Sequence, residues 1–276
     1  MMASVKKALA NKGFVVGGCI FLAIALIALV GPLVWTVNPN AQEMTLRPSA
    51  PSPAHPFGCD DFGRDLLARV IVGARVSLGV GIAVTLATSA LGLVIGAYAC
   101  YNERLDHILM RICDGLMSIP GVLLAIALMA MMGASVWNVI IALSIVYTPS
   151  MARIVRSRAM VVKEEPFVEA LRVQGASTAR IVRLHIVPNV MAPFLVQATF
   201  VFAEAVLSEA ALSFLGLGIK APDASWGNIL QAGKNVMRKA WWMIFFPAIA
   251  IIASVLSLNL AGDGLRDALD PKTKED

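Results

Sequence analysis

The stretch VEALRVQGASTARIVRLHIVPN, Val168–Asn189, is polar and lies between some of the most apolar segments of the chain. Its pattern predicts two short helices joined by a tight turn. Gly175 suits the left-handed backbone that ends a helix, and Ser177 can cap the helix that follows. Pro188 is expected to stop this second helix before the next apolar segment begins. The stretch therefore predicts a helical elbow, and that name is kept for it below.

The second helix of the elbow carries an apolar stripe. Its members are Ile181, Val182, Leu184 and Ile186. Two interpretations are open at this point: the stripe contacts another protein, or it rests on the chain's own helices or on the lipid interface. Periodicity alone does not distinguish between them.

The composition of the chain is that of a membrane protein. Of its 276 residues, 58% are hydrophobic and only 15% are charged, whereas about 25% of the residues in a soluble domain are charged. The net charge of +5 fits the excess of Lys and Arg that orients membrane proteins. The sequence has no basic stripe interleaved with aromatic residues, which argues against nucleic acid as a partner. Membrane lipid is the expected surrounding partner instead.

Six runs with few or no charges are long enough to cross roughly 30 Å of hydrocarbon as helices. They lack the alternation of strands, and helices satisfy the backbone polar groups within lipid. The runs are Phe14–Trp35, Val76–Tyr101, Ile112–Gly133, Ala134–Ala152, Val190–Gly218 and Trp241–Gly262. The sequence thus predicts an all-α membrane protein with six transmembrane helices.

The basic residues indicate how these helices are oriented. Lys and Arg are enriched in the cytoplasmic loops of membrane proteins, and most of the 23 in this chain share one side if both termini are cytoplasmic. Residues 1–13 and 263–276 then form cytoplasmic tails. Residues 36–75 form an external loop rich in proline, and residues 153–189, which include the elbow, form a cytoplasmic loop.

Asp114, Glu204 and Glu209 lie within or beside the apolar runs. An ionised group is costly inside a bilayer, so each of them needs water or a partner. They either line a passage or gate, or they pair with a neighbouring helix or lie at a membrane edge. Pro120 and Pro149 interrupt helical hydrogen bonding and predict kinks.

The elbow resembles the cytoplasmic EAA loop of ABC importer permeases, which reads E-A-A, three residues, G, nine residues, I-x-L-P. The residues at matching positions are Glu169, Ala170, Gly175 and Pro188. The departures from the pattern are Leu171, His185 and Val187. Further stretches are similar to the C-type permease subunit of the dipeptide/oligopeptide/nickel ABC importer family. These stretches are His55–Gly81, Ser208–Gly218, Pro222–Gly227 and Asn259–Pro271.

This resemblance implies the type I ABC importer permease fold, with a first transmembrane helix at 14–35, a periplasmic loop at 36–75, a core over residues 76–262 and a coupling loop at 153–189. The elbow would be a coupling helix that lies in a groove of a cytoplasmic ATPase subunit. The implied coupling residues are Glu169, Ala170, Leu171, Gly175, Ala176, Ser177, His185 and Pro188. Glu204 and Glu209 are candidates for the translocation pathway or its gate.

The resemblance also implies the partners: a homologous second permease subunit forming a heterodimer, two cytoplasmic ATPase subunits and an extracytoplasmic substrate-binding protein, at the bacterial inner membrane. The sequence has no G-x-x-x-x-G-K-[ST] motif, so ATP and Mg would be used by the ATPases. This chain is expected to be a transport subunit rather than an enzyme, and to bind no cofactor or metal. The expected substrates are di- or oligopeptides, with nickel chelates, glutathione or opines as alternatives. A stand-alone secondary transporter is a remote alternative that the elbow disfavours.

Overall fold

The computed structural model describes Lys7 and residues 9–269, so parts of both predicted tails lie outside the described residues. A π-helical turn, Val182–Ile186, joins the helix Thr178–Ile181 to the helix Val187–Phe214 without a break. In this part of the chain the helices are α1 (Lys12–Val34), α2 (Leu66–Ala99), α3 (Glu103–Met117), α4 (Gly121–Met132), α5 (Val136–Lys163), α6 (Pro166–Val173), α7 (Thr178–Ile181), α8 (Val187–Phe214), α9 (Trp226–Lys234) and α10 (Trp242–Leu269), with a 3-10 turn at Met44–Leu46.

Within the described residues, five continuous helices are long and apolar enough to cross a membrane: α1, α2, α5, α10 and the joined helix Thr178–Phe214. α3 and α4 together form a sixth candidate, because they pass the same criterion as a pair bent by 91°. The prediction of an all-helical membrane protein is confirmed, and its six spans are reached when the bent pair is counted as one.

The third predicted span, Ile112–Gly133, is not a single helix. α3 ends at Met117, α4 begins at Gly121, and the two axes meet almost at a right angle. Pro120 explains the break, since it has no N–H to donate and it disfavours helical backbone at the residue before it. Pro149, by contrast, lies inside the continuous helix α5.

Three helices extend beyond the predicted apolar runs. α2 begins at Leu66 rather than at Val76, because the Asp65 carboxylate accepts a hydrogen bond from the Ala68 N–H at 2.7 Å and caps the helix there. α5 continues past Ala152 to Lys163, and α10 continues past Gly262 to Leu269. Hydropathy marks the part of a helix that suits hydrocarbon, whereas capping groups mark where the helix ends.

Helix α1 lies at the periphery of the bundle and packs along α10. Its outer face is apolar and exposed, as a lipid-facing surface requires; the exposed residues include Ile20, Leu22, Leu26, Leu29 and Leu33. Its inner face approaches α10 through Gly17, where a Cβ atom would lie 2.5 Å from the Ser257 carbonyl oxygen. Small residues allow such close helix approach in membranes.

The loop between α1 and α2, which the sequence predicts to be external, is folded by buried ion pairs. Asp60 accepts a hydrogen bond from Arg64 Nε at 2.6 Å, and Arg69 lies near the same carboxylate. The Asp65 carboxylate contacts His55 Nδ1 at 2.8 Å and accepts from Trp35 Nε1 at 3.0 Å. These contacts fix the loop against the start of α2.

The two adjacent glycines of α1 give a direct test of its packing. Gly17→Val is expected to destabilise the subunit by about 1–3 kcal/mol, because the added side chain has no room against α10. Gly18→Val is the matched control, since a Cβ at Gly18 meets nothing within 4 Å. Membrane abundance and the thermal midpoint of the purified transporter measure both variants. Equal losses from the two substitutions would contradict the α1–α10 contact.

Candidate coupling site and membrane groove

The elbow consists of α6, a tight turn and the joined helix that begins at Thr178. Gly175 has φ +80°, the left-handed conformation expected at the end of α6. The Gly175 N–H donates to the Arg172 carbonyl at 2.9 Å and the Ala176 N–H donates to the Leu171 carbonyl at 3.0 Å, which is the Schellman pattern. Ser177 Oγ accepts from the Arg180 N–H at 3.4 Å. The roles predicted for Gly175 and Ser177 in the local backbone are confirmed.

The prediction that Pro188 stops the second helix is wrong. The helix passes through Pro188 and runs continuously from Thr178 to Phe214. A proline ring inside a helix collides with the carbonyl four residues earlier, and a π turn relieves this by widening the preceding turn. That turn is Val182–Ile186, closed by the Val187 N–H on the Val182 carbonyl. The second helix of the elbow is therefore the first part of the long helix Thr178–Phe214 rather than a separate piece.

Most of the apolar stripe faces the subunit's own interior. Ile181, Val182 and Ile186 are each at most 1% exposed, and they share one cluster with Val168 and Val155. The interpretation that the stripe rests on the chain's own helices therefore holds for three of its four members. Leu184 differs, since 59% of its surface is exposed.

Two apolar residues that sequence reasoning passed over also lie on the outer surface of the elbow. Phe167 is 43% exposed and Val173 is 84% exposed, both on α6. Together with Leu184 they form a set named here the elbow's apolar edge. The amphipathic pattern of PFVEALRV, with Val168 turned inward, is the signal that could have identified them.

The elbow is clamped to the neighbouring helix ends. Lys163 Nζ donates to the Cys100 carbonyl at 2.7 Å, just after α2. The cations of Lys163 and Arg172 lie 5.3 and 5.5 Å from the centroid of the Tyr101 ring, within the range of cation–π attraction. Arg156 of α5 pairs with Asp106 of α3 nearby. Arg172 thus contacts the residue that follows α2 by two positions, and Lys163 and Arg156 join the end of α5 to the same region.

The eight predicted coupling residues divide by exposure. Leu171, Ala176 and His185 are half-buried, and the His185 ring lies 6.3 Å from the Phe167 ring across the elbow. The exposed members are Glu169, Ala170, Gly175, Ser177 and Pro188. Glu169 forms no ion pair with any described residue, so its carboxylate is available to a partner.

The two candidate pathway residues have opposite surroundings. Glu209 is 0% exposed and accepts hydrogen bonds from Ser77 Oγ and Ser213 Oγ, each at 2.7 Å. Ser77 Oγ also accepts from the Trp226 N–H, so this cluster ties α2, α8 and α9 together. Glu209 therefore does not line a passage: its prediction as a pathway residue is corrected to a role inside the subunit.

Glu204 is exposed on the same helix, in a cavity of about 370 Å³ between α8 and α10. Asn259 and Asp263 line this cavity from α10. Neither Glu204 nor Asp263 forms an ion pair with any described residue. Asp114 has a partner instead: its carboxylate accepts a hydrogen bond from Arg153 Nη2 at 2.6 Å, and both side chains are exposed. This pairing fits the alternative in which Asp114 lies at a membrane edge.

Comparison with known proteins identifies the class. The profile of the family described as binding-protein-dependent transport system inner membrane component matches residues 88–275, and that of the N-terminal TM domain of oligopeptide transport permease C matches residues 4–51. Two inward-facing structures of the MetNI methionine ABC transporter share the fold at 20% identity, with TM-scores of 0.60 and 0.61. The matched regions cover 73% and 74% of this chain and 97% and 98% of those chains. The fold is that of a type I ABC importer permease.

Relatives with similar sequences agree with this class. The chain is 45% identical over 99% of its length to a provisionally named peptide transport system permease protein of Brucella abortus, covering 93% of that protein. It is 42% identical over 96% of its length to a dipeptide transport system permease protein of Alkalihalophilus pseudofirmus, covering 87% of that protein.

The chain belongs to the family of binding-protein-dependent transport system inner membrane components, among the C-type permeases of peptide ABC importers. It is a multi-pass membrane permease subunit rather than an enzyme, and ATP hydrolysis resides in its partner subunits. Importers of this family work with ATPases and a binding protein.

The two glutamates give a test of the assignment made from burial. Glu209→Ala leaves the buried hydroxyls of Ser77 and Ser213 without their acceptor and is expected to cost about 1–3 kcal/mol of stability. Glu204→Ala, five residues earlier on the same helix, is expected to leave the thermal midpoint of the purified transporter unchanged. The assignment would be refuted if Glu204→Ala lowered the thermal midpoint and Glu209→Ala left it unchanged.

Proposed function

We propose that this chain forms half of the translocation pathway for short peptides delivered by a binding protein, and that a homologous second permease subunit supplies the other half as a heterodimer. The observation that carries the proposal is the groove between α8 and α10. It holds Glu204, which lies inside the predicted fifth span, and Asp263 just beyond the sixth, and neither forms an ion pair with a described residue. A second subunit facing the groove encloses it and keeps it wet.

Peptides are favoured over nickel chelates, glutathione or opines because of the relatives. Those at 39–42% identity over 96% of this chain include proteins named for dipeptide or di/tripeptide transport. The groove itself contains carboxylates and side-chain amides, groups that suit an ammonium group and peptide bonds. Binding of a nickel complex by the permease would favour cysteine or histidine side chains. Neither residue type lines the described cavities of the groove.

The proposed location is the bacterial inner membrane, with both termini and the elbow on the cytoplasmic side. Two features of the chain support this orientation. Most Lys and Arg residues lie on that side when the termini are cytoplasmic, and the external loop closes into a compact, ion-paired structure at the opposite end.

Energy reaches the pathway through the elbow. We assign to its apolar edge, Phe167, Val173 and Leu184, the contact with one of two cytoplasmic ATPase subunits, with Glu169 beside it for a basic partner group. Apolar side chains that are exposed on a polar surface suit a protein interface. ATP and Mg are bound by the ATPases, and this chain contributes neither a nucleotide site nor a cofactor.

The joined helix Thr178–Phe214 makes the coupling mechanical. It carries Leu184 at one end and the groove residues Phe200, Glu204 and Leu207 further along. Because the helix has no break, a shift of the elbow when the ATPases close against each other tilts the whole helix. The tilt changes the width of the groove and its access to either side of the membrane.

The proposed function is tested with the complete importer in proteoliposomes supplied with its binding protein. Radiolabelled dialanine is expected to accumulate only when ATP is present on the side of the ATPases, and an ionophore is expected to leave accumulation unchanged. Uptake that survives without ATP and stops when the ion gradient collapses would support a secondary transporter instead. Failure to transport any di- or tripeptide would exclude the peptide assignment.

The coupling role is tested with two branched residues on one turn of the elbow. Leu184→Ser removes an exposed contact and is expected to weaken co-purification of the ATPase and to lower uptake about tenfold, at normal membrane abundance. Ile186→Ser removes a buried contact and is expected to lower abundance itself, since such a loss costs about 2–5 kcal/mol. Normal uptake and normal ATPase binding by Leu184→Ser would contradict the assignment.

A further inference from the structure

Three cavities lie in a row between α8 and α10 and form one continuous groove. Their volumes are about 330, 370 and 560 Å³, counted from the end near α9 to the end near the elbow. Leu207 lines both the first and the second cavity, and Phe200 lines both the second and the third. The groove therefore follows most of the length of α8.

The chemistry of the groove changes along this path. The first cavity is lined by aliphatic and aromatic side chains such as Phe214 and Ile252. The middle cavity contains the carboxylates of Glu204 and Asp263, and the third, near the elbow, contains the guanidinium groups of Arg158 and Arg266. Side-chain amides accompany both charged regions, namely Asn259 in the middle and Asn189 and Gln197 near the elbow.

These opposite charges do not neutralise each other within the subunit. Glu204, Asp263, Arg158 and Arg266 are exposed, and none of them forms an ion pair with a described residue. Asp263 and Arg266 stand three residues apart on α10, the spacing at which helical ion pairs form, yet they do not pair. An ionised side chain at the centre of a bilayer costs about 3 kcal/mol, so Glu204, which lies inside the predicted fifth span, meets water or a ligand rather than lipid. Arg158, Asp263 and Arg266 belong to the predicted cytoplasmic segments beside it.

The two carboxylates or the two guanidinium groups alone would not define a ligand, but their order along the groove does. We propose, resting on the proposed peptide substrate, that the groove holds a short peptide as a zwitterion. Its ammonium group lies at Glu204 and Asp263, its carboxylate lies at Arg158 and Arg266, and it travels with its carboxyl end toward the elbow. Carboxylates and guanidinium groups make the strong, charge-assisted hydrogen bonds that such termini require.

The lining of the groove also holds groups that suit the peptide backbone. The amides of Asn259 and Gln197 stand between and beside the two charged regions, where they can bond to the peptide backbone.

An anionic lipid headgroup could also bind two arginines near a membrane surface. The neighbouring carboxylates argue against it, because a phosphate that reached both cavities would meet Glu204 and Asp263. The side-chain amides likewise suit a peptide chain better than an acyl chain. We therefore assign the groove to the peptide and treat the lipid as an outcome of the test.

The test uses the complete importer in nanodiscs without nucleotide, so that the selectivity of the binding protein does not enter. Two tripeptides of the same composition carry benzoylphenylalanine either at the first or at the third residue, with alanine elsewhere. After irradiation, the first peptide is expected to label residues around Glu204 and Asp263, and the second is expected to label residues around Arg158 and Arg266. Mass spectrometry of the digested subunit locates both labels.

Variants identify the groups that orient the peptide. Glu204→Gln is expected to lower labelling by the first peptide about tenfold, as loss of a charge-assisted bond predicts, and Arg158→Gln with Arg266→Gln is expected to do the same for the second peptide. Glu103→Gln and Arg104→Gln remove the same charges from exposed positions on α3 and serve as matched controls that leave labelling unchanged.

Each outcome bears on the inference separately from the proposed function. Reversed labels, labels equally distributed, or no label in the groove would overturn the inference, whereas uptake of dialanine by the wild-type importer would still uphold the peptide assignment. Label that is insensitive to Glu204→Gln and to the double arginine variant but is displaced by added anionic lipid would assign the arginines to a headgroup and refute the peptide site.

Discussion

A charged or polar side chain in a transmembrane helix must find a partner or water, and this constraint organises the subunit. Glu209 satisfies it inside the protein, where serine hydroxyls from α2 and α8 bond to its carboxylate. Glu204, five residues away, satisfies it on a groove that another subunit can enclose. The outer face of α1 is apolar beyond Lys12 and suits contact with lipid. One physical rule thus separates the lipid-facing surface from the interior and from the exposed groove.

The elbow is the part of the subunit to which we assign the contact with an ATPase. Its inner side is anchored by Ile181, Val182 and Ile186, and its outer side presents a small apolar edge. Because α7, the π turn and α8 form one continuous helix, the anchor and the groove belong to the same element. The contacts of Lys163 with Cys100 and Tyr101 join the end of α5 to the region that follows α2.

Sequence reasoning predicted the site in part, and its errors have physical causes. Gly175 and Ser177 were predicted correctly, because a left-handed turn and a helix cap depend on a few neighbouring residues. Pro188 was predicted wrongly as a stop, because a π turn just before it admits the ring. Glu209 was grouped with Glu204, because sequence spacing does not reveal that Ser77, far away in the chain, lies beside it.

The amino-acid sequence by itself determined the environment and the class of the protein: its apolar runs require a bilayer, and its motifs define the permease family. Local chemistry also determined the helix ends at the elbow. Only the tertiary structure decided which side of each helix faces the interior. It turned the elbow's stripe inward, bent the third span at Pro120, and aligned acids and arginines from α5, α8 and α10 along one groove. These outcomes depend on which distant helices pack together, and hydropathy along the chain carries no record of that pairing.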